Sequence, residues 1–251
     1  MTTMSNKIIF ITGASRGIGK AAALEFAKNG AKVALFGRDK KSLIKVQSEI
    51  GESATALQGD VSVFSDVERA VKKTVEIFGR IDVLINNAAA IKPIAYLTEA
   101  CIEDWDKVID INIKGVFYGN RCAIPHMLKN KGGTIISVSS GAAFNSIEAW
   151  SAYCTSKAGL SMLTACTNLE YGLRGIRTMS LLPGTVATQM QKEIKLSGIN
   201  PVSKLDWSEH FPPEWPAKAL VWMCQSASDR YLGKEVDLRE KVIQRAVGLI
   251  Q

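Results

Sequence analysis

Tyr153 and Lys157 stand four residues apart in the segment AWSAYCTSKAGL, which covers residues 149–160 and has the pattern of a helix. On a helix, side chains at positions i and i+4 share one face, with Cβ atoms about 5–6 Å apart. A free phenol has a pKa of about 10, and a neighbouring ammonium group favours the phenolate and lowers that value. The pair could therefore exchange a proton with a substrate. The plainer interpretation is a surface pair that occurs by chance.

A glycine-rich loop lies near the start of the chain, in the stretch TGASRGIGK. Its glycines are Gly13, Gly17 and Gly19, and they follow an apolar segment, residues 7–12, with the pattern of a strand. Small residues let the chain turn tightly and approach a pyrophosphate, which then sits at the N-terminus of the next helix. Glycines also serve turns that bind nothing, but the position between a strand and a helix favours a dinucleotide site.

The end of the second apolar strand indicates which dinucleotide is bound. NAD-dependent enzymes usually carry an acid there, which binds the ribose 2′-hydroxyl. Here the sequence is LFGRDKK, with Arg38 directly after Gly37, and a guanidinium suits a 2′-phosphate. Arg16 in the glycine loop would add a second positive charge, while Asp39 is expected to cap the following helix. The sequence thus predicts NADP(H) in preference to NAD(H); the competing interpretation makes Asp39 the ribose acid.

Apolar strands alternate with helical segments along most of the chain. The predicted strands are residues 7–12, 32–37, 54–59, 81–86, 133–139 and 177–182. The predicted helices are residues 17–29, a helix after Asp39, a helix ending at Phe78, and residues 102–129 and 149–172. This alternation indicates right-handed crossovers and a doubly wound parallel β-sheet flanked by helices. No linker or internal repeat interrupts it, which predicts a single α/β domain over residues 1–251.

The segment from Pro183 to Trp215 breaks this alternation because it has mixed composition and no strong period. Long irregular insertions in compact domains usually serve a function, and this one leaves the carboxyl edge of the sheet, where ligands bind. We therefore expect a substrate-binding lid over about residues 189–215, whose aromatic side chains exclude water and favour an apolar or aromatic substrate. Alternatively, the rings only pack the segment onto the body or a neighbouring subunit. They are Trp207, His210, Phe211 and Trp215.

Composition and charge narrow the range of partners. The 251 residues carry a formal charge of +7, but their lysines and arginines are scattered, so nucleic acid is not an expected partner. With two histidines, no metal site is expected. No apolar run reaches the roughly 18–20 residues that span a bilayer, and the N-terminal stretch predicts a strand rather than a signal peptide. Five cysteines without a C-x-x-C pair are typical of reduced thiols in a cytoplasmic protein.

Seven short motifs follow one another along the chain. They are TGASRGIG at 12–19, GDV at 59–61, NNAA at 86–89, NIKG at 112–115, SVSSG at 137–141, YCTSK at 153–157 and PGTVAT at 183–188. Each is weak alone. In this order, on the expected strands and helices, they make the chain resemble the short-chain dehydrogenase/reductase family over about residues 7–190. The resemblance implies a Rossmann-type fold, a nicotinamide cofactor and oxidoreduction of a carbonyl/alcohol pair.

The resemblance also implies a catalytic tetrad of Asn112, Ser140, Tyr153 and Lys157. In the family, the tyrosine transfers the proton, the serine hydrogen-bonds the substrate oxygen, the lysine also holds the nicotinamide ribose, and the asparagine anchors a relay water. Ser140 is preferred to the other serines of SVSSG because it lies thirteen residues before Tyr153, the family's usual separation. Taken singly, Ser140 and Asn112 could also be polar residues satisfied locally.

The same resemblance implies the residues that contact the cofactor. They are Gly13, Ser15, Arg16, Gly17, Ile18, Gly19, Arg38, Asp60, Val61, Asn87, Ala88, Tyr153, Lys157, Pro183, Gly184, Val186 and Thr188. Asp60 matches the family's adenine-contacting acid, and Thr188 matches a contact near the nicotinamide. Either residue could instead simply lie at the start of a helix.

The leading prediction is an NADP(H)-dependent enzyme that interconverts a ketone or aldehyde and an alcohol, with a small molecule as substrate. Two alternatives stay open. One is a 3-oxoacyl-[acyl-carrier-protein] reductase, because the basic surface of the protein would attract an acidic carrier protein. The other is a non-catalytic NADP-binding regulatory protein, which the fold alone does not exclude. The resemblance implies a homodimer or homotetramer, with the helix that carries Tyr153 at an interface.

The sequence departs from the family pattern in three places. Ala89 replaces the last glycine of the usual N-N-A-G, which would cost stability only if that position needed a positive φ. The usual asparagine before P-G is absent from IRTMSLLPG. The common V-D-G-G tail is replaced by GKEVDLREKVIQRAVGLIQ, which places subunit contacts near the C-terminus in doubt.

Overall fold

Short apolar segments form the seven strands of one sheet in the computed structural model, which describes residues 4–251 and leaves residues 1–3 of the predicted domain outside. The strands are β1 (Ile8–Thr12), β2 (Lys32–Gly37), β3 (Ala54–Gln58), β4 (Val83–Asn86), β5 (Gly133–Val138), β6 (Ile176–Leu182) and β7 (Glu235–Asp237). All neighbours pair in parallel, in the order β3-β2-β1-β4-β5-β6-β7. The strand order reverses between β1 and β4, and the carboxyl ends on either side of that point flank a crevice.

Helices follow the strands and cover both faces of the sheet. In the described residues they are α1 (Gly17–Lys28), α2 (Lys40–Ile50), α3 (Phe64–Phe78), α4 (Ile102–Ile109), α5 (Gly115–Lys129), α6 (Ser151–Tyr171), α7 (Gln189–Ser197), α8 (Glu214–Met223) and α9 (Lys241–Val247). Successive strand residues point to opposite faces, so Ile9 and Ile11 of β1 pack with α1 and α8. Phe10 between them packs with α3 and α5. The predicted doubly wound α/β fold is therefore confirmed.

The structure corrects the sequence prediction at three places. The predicted helix over residues 102–129 is divided by a π-helical turn, Asp110–Lys114, between α4 and α5. The segment predicted to be irregular after Pro183 contains α7, followed by short 3₁₀ turns. Strand β7 and helices α8 and α9 were not predicted. Ala89 is not among the described residues with a positive φ, so its methyl group strains no backbone.

The described residues contain no helix that is both long and apolar enough to cross a bilayer.

Candidate active site

The carboxyl ends of the strands open into a cleft of about 1020 Å³. Nearly all of the predicted site residues line it, including the glycine loop, Tyr153 and Lys157. Two predicted residues are not in its lining: Gly19 and Asn112. The size and position of the cleft suit a dinucleotide together with a small substrate.

The glycine loop turns where only glycine fits. Gly13 has φ +67°, and a Cβ there would lie 2.9 Å from the Cα atom of Ala88. Gly17 also has a positive φ of +55°. Gly19 packs its backbone against the carbonyl of Gly13. It therefore supports the loop from behind and does not line the cleft.

The N-terminus of α1 faces the cleft without a side-chain cap. Its N-cap residue is Arg16, whose side chain accepts no hydrogen bond from the helix, and the first turn contains no acid. The first N–H groups of a helix have no partner within the helix, and they carry partial positive charge. Together with the Gly13 and Gly17 turns, this arrangement fits a pyrophosphate.

Two residues join the glycine loop to the loop after β4. The hydroxyl of Thr12 accepts hydrogen bonds from the backbone N–H groups of Asn87 and Ala88, at 3.0 and 3.1 Å. The Asn87 amide in turn donates to the carbonyl oxygens of Thr12 and Gly13, at 2.9 and 3.1 Å. Thr12 was not predicted as a site residue, although it begins the TGASRGIG motif. Asn87 thus positions the loop in addition to lining the cleft.

Arg38 and Asp39, the two residues after β2, have different roles. Asp39 caps α2: its carboxylate accepts the N–H of Ser42 at 3.1 Å and the Ser42 hydroxyl at 2.6 Å. These hydrogen bonds lower the pKa of Asp39. Arg38 remains exposed at the rim of the cleft, with its guanidinium 3.9 Å from the carboxylate of Asp60. Asp60 itself accepts the N–H and hydroxyl of Ser62, at 3.0 and 2.7 Å.

Tyr153 and Lys157 lie on one face of α6 and are almost fully buried, with 7 % and 2 % of their surfaces exposed. The Nζ atom of Lys157 donates a 2.7 Å hydrogen bond to the carbonyl oxygen of Val138, at the end of β5. It also lies 5.5 Å from the centroid of the Tyr153 ring. Ser140, two residues beyond Val138, lies near the Tyr153 hydroxyl and acts to lower its pKa. The structure therefore brings three of the four predicted tetrad residues together.

The pKa values differ from the expectation that Lys157 acidifies the phenol. Burial raises the pKa of Tyr153 to about 12, and the interaction with the Ser140 side chain only partly opposes that rise. Burial also lowers the pKa of Lys157 to about 8, against the attraction of the Glu235 carboxylate. The Lys157 ammonium approaches the face of the ring and a backbone carbonyl.

Asn112 lies behind this group in the π-helical turn and is fully buried. Its side-chain oxygen accepts the N–H of Ala90 at 2.8 Å, and its amide donates to the Ala90 carbonyl and the Ser156 hydroxyl, both at 2.9 Å. These contacts connect the loop after β4 to α6, beside Lys157. In this structure Asn112 positions the site from behind the cleft.

The three serines of SVSSG, in β5 and directly after it, are distinguished by their contacts. Ser137 accepts a long hydrogen bond of 3.5 Å from Asn86 and does not line the cleft. Ser139 lines the cleft, but its buried hydroxyl has no partner among the described residues. Ser140 also accepts the N–H of Ala142 at 3.2 Å, which fixes it at the start of a short 3₁₀ turn.

The loop after β6 closes over the glycine loop. A Cβ on Gly17 would lie 3.3 Å from the methyl group of Thr188, which is the N-cap residue of α7 but makes no side-chain capping bond. Gly184 has φ +73° and packs against the ring of Phe211. Val186 forms an isolated β-bridge with Phe211 as well. Pro183 and Val186 complete this wall of the cleft.

The substrate end of the cleft has an apolar wall and one guanidinium. The wall consists of Ile147, Trp150, Met190, Ile194 and Val202, and the guanidinium belongs to Arg239. None of the four aromatic side chains predicted to face the substrate is in this lining. They stack in two pairs instead, Trp207 with His210 at 4.8 Å and Phe211 with Trp215 at 4.7 Å.

Comparison with known proteins identifies the class that this fold and cleft define. The family model described as short chain dehydrogenase matches residues 7–197, and the chain belongs to that family of oxidoreductases. An uncharacterized oxidoreductase of Thermotoga maritima is 41 % identical over 186 residues, 73 % of each chain. The 3-oxoacyl-[acyl-carrier-protein] reductase of Synechocystis sp. is 36 % identical over 236 residues, 92 % of this chain and 94 % of the relative.

Solved structures share the architecture over nearly the whole chain. The 3-ketoacyl-(acyl-carrier-protein) reductase of Brucella melitensis, complexed with NADH, superposes with a TM-score of 0.84 at 28 % identity, covering 93 % of this chain and 97 % of that one.

Proposed function

We propose that the protein is an NADP(H)-dependent oxidoreductase that interconverts a ketone or aldehyde and an alcohol. The observation that carries this proposal is the grouping of Ser140, Tyr153 and Lys157 at the cleft formed by the glycine loop. A regulatory protein that only binds a dinucleotide would not need a buried phenol beside a serine and a buried lysine. The grouping of these three residues therefore favours an enzyme over the non-catalytic alternative.

Each of these side chains has a chemical task in the proposed reaction. With a pKa near 12, Tyr153 is protonated at neutral pH and donates its proton to the carbonyl oxygen during reduction. Ser140 stabilises the oxygen as negative charge develops. Lys157, held by Val138, binds the cofactor's ribose beside Tyr153. The bound nicotinamide cofactor supplies the hydride for reduction or accepts it in oxidation.

The charge distribution around the cleft supports NADP(H) over NAD(H). Arg16 and Arg38 both line the cleft and are exposed, whereas the carboxylate of Asp39 is engaged with Ser42 as a helix cap. A guanidinium binds phosphate with a forked pair of N–H donors. Arg38 is the residue we expect to contact the 2′-phosphate directly.

A screen of cofactor oxidation tests the proposed reaction. Purified protein with NADPH should reduce at least one member of a panel of ketones and aldehydes, and with NADP⁺ it should oxidise the corresponding alcohol. Cofactor binding should be measured in parallel by fluorescence. Tight NADPH binding without turnover of any carbonyl compound would instead favour the regulatory alternative.

The second candidate is reduction of a 3-oxoacyl group carried by an acidic protein. The similarity to the Synechocystis sp. enzyme over 92 % of the chain and the formal charge of +7 favour it. A 3-oxoacyl chain presented on acyl carrier protein should then be reduced with a much lower KM than the same chain on a small thiol. Equal KM values would favour a free small molecule.

We further propose that the chain assembles as a homodimer or homotetramer through the outer faces of α5 and α6. Large apolar side chains are exposed there, with Phe117 45 %, Met162 66 % and Leu169 83 % exposed. Light scattering should give the mass of a dimer or tetramer. Replacing both Met162 and Leu169 with Glu should shift it towards the monomer.

A further inference from the structure

We infer that Arg239 is a specificity-determining residue that binds a carboxylate on the substrate, which makes an oxo acid with an apolar body the preferred substrate class. Arg239 lies in the tail that departs from the family pattern, just beyond β7. The inference rests on the proposed carbonyl–alcohol chemistry, because that chemistry places the substrate between Ser140 and the apolar wall.

The guanidinium of Arg239 lies beside the loop after β5, which carries Ser140. A Cβ on Gly141, the residue after Ser140, would be 3.9 Å from its Nη1 atom and 4.0 Å from its Nη2 atom. A Cβ on Gly184 would be 3.5 Å from its Cγ atom. The side chain thus extends between the loops after β5 and β6, next to the residue that follows Ser140.

Asp237 fixes this guanidinium through one of its edges. The Nε atom donates to both carboxylate oxygens at 3.0 and 3.1 Å, and Nη2 donates to Oδ2 at 2.6 Å. Nη1 makes no hydrogen bond with any residue from 4 to 251. A guanidinium has five N–H donors, so the edge formed by Nη1 and the second hydrogen of Nη2 remains available for a forked contact with a carboxylate.

A second donor without a partner belongs to another residue of the same lining. Trp150 lines the cleft and is 4 % exposed, yet its indole N–H has no hydrogen-bond partner among the described residues. Its ring meets Tyr153 edge to face, with centroids 5.5 Å apart. Buried donors are normally satisfied, so the unpaired indole N–H is an unusual feature of this lining. The free Nη1 edge of Arg239 is exposed and therefore open to a ligand from the cleft.

The apolar wall defines the rest of the substrate. Ile194 and Val202 come from α7 and the turn after it, and they pack with Trp150 in one cluster. This surface suits a hydrocarbon or aromatic group, while Arg239 suits the charged end. An aryl oxo acid combines both features.

Binding to the oxidised-cofactor complex tests the inference without requiring turnover. Two acid–ester pairs should be titrated by calorimetry into the protein saturated with NADP⁺: benzoylformate with its methyl ester, and 3-benzoylpropanoate with its methyl ester. In at least one pair the acid should bind about tenfold or more tightly than the ester. In Arg239→Leu that ratio should fall to about one through weaker acid binding.

Three further variants sharpen the result. Arg239→Lys keeps the charge but loses the fork, and Asp237→Asn releases the anchored edge, so both should retain only part of the selectivity. Arg245→Leu removes an exposed arginine of α9 that does not line the cleft, and it should keep the wild-type ratio.

Three results would overturn the inference. They are equal affinity for acid and ester in both pairs, no binding of either acid, and an unchanged acid-to-ester ratio in Arg239→Leu. A loss in Arg239→Leu confined to cofactor binding would overturn it as well. Assays of the same four ketones with NADPH separate this inference from the proposed reaction. Selective acid binding without any reduction would contradict the reaction while leaving the role of Arg239 intact. Reduction of acids and esters without selectivity would support the reaction and contradict the role of Arg239.

Discussion

The ammonium group of Lys157 lies 5.5 Å from the centroid of the Tyr153 ring, one turn of α6 away, and both side chains are almost completely buried. Burial penalises the charged form of each group, which raises the pKa of the phenol to about 12 and lowers that of the ammonium to about 8. A neutral phenol is suited to proton donation. Because the neighbouring Lys157 titrates at about pH 8, the rate of carbonyl reduction should depend on pH.

Replacing Tyr153 with Phe should remove the transferable proton while keeping the ring. We expect kcat to fall at least about 100-fold, in line with general acid–base contributions. Cofactor affinity should be largely retained, because Lys157 and the glycine loop are unchanged. Steady-state kinetics and NADPH fluorescence titration measure the two effects separately. Near-normal turnover in this variant would contradict the proposed mechanism.

The pH profile of kcat/KM for NADPH should report the titration of Lys157 in the free enzyme. The ammonium is present below its pKa of about 8 and is lost above it, so kcat/KM should be level at lower pH and decline above about pH 8. Tyr153 stays protonated throughout that range because its pKa is about 12. Lys157→Arg, which keeps its charge, should move the decline upward. A level wild-type profile to pH 10 would refute the assignment.

Removing Arg38 should weaken NADPH binding and spare NADH. A charge-assisted hydrogen bond contributes about 1.5–3 kcal/mol, which predicts a loss of about tenfold or more in NADPH affinity for Arg38→Leu. Arg16→Leu should have an effect in the same direction. Arg245→Leu again serves as the matched control. A wild-type preference for NADH would return Asp39 to the ribose role.

Asp39→Asn separates the capping role from that competing role. If Asp39 serves α2 alone, the variant should keep its NADH affinity and its stability, because Asn is also a good N-cap residue. Asp39→Ala should instead lower the free energy of unfolding, because it removes the cap. Denaturant unfolding and NADH titration of both variants provide the comparison. A selective loss of NADH binding in Asp39→Asn would instead identify a ribose contact.

The sequence was informative where local chemistry determines the structure. Strands β1, β2 and β6 appear as apolar runs bounded by turn residues, and Asp39 was recognised as a cap from its position alone. Helix α7 was missed because its sequence, QMQKEIKLS, buries only Ile194 and shows no clear apolar face. The π-helical turn was missed because helical periodicity continues through Asp110–Lys114.

Contacts between distant segments could not be predicted in the same way. Trp150 reaches the cleft from the start of α6, and Arg239 reaches it from the tail 89 positions later. Their presence in one cleft depends on β6 and β7 pairing in register, which no local pattern encodes. The only sequence signal at Arg239 was the departure of the tail from the family pattern.

The segment over residues 189–215 should respond to ligands in one half only. The first half carries Met190, Ile194 and Val202 into the cleft and is held to the loop after β5 by Asn200, whose amide donates to the Glu148 carbonyl at 3.0 Å. We propose that this half is the lid. Closure around cofactor and substrate would slow amide exchange there.

The second half is attached to the body independently of any ligand. Phe211 exchanges backbone hydrogen bonds with Thr185 at 2.8 Å and Ala187 at 2.9 Å, and a capping box joins Asp206 to Glu209. Hydrogen exchange measured with and without NADPH and substrate should therefore show added protection over residues 190–205 and little change over 206–215. Asn200→Ala should exchange faster over residues 190–205 in the free enzyme and regain protection when ligands bind. Strong protection of residues 190–205 in the free enzyme, unchanged by ligands, would mean that this half is a fixed wall of the cleft. Added protection confined to residues 206–215 would show that the second half moves instead, and would contradict the proposed lid.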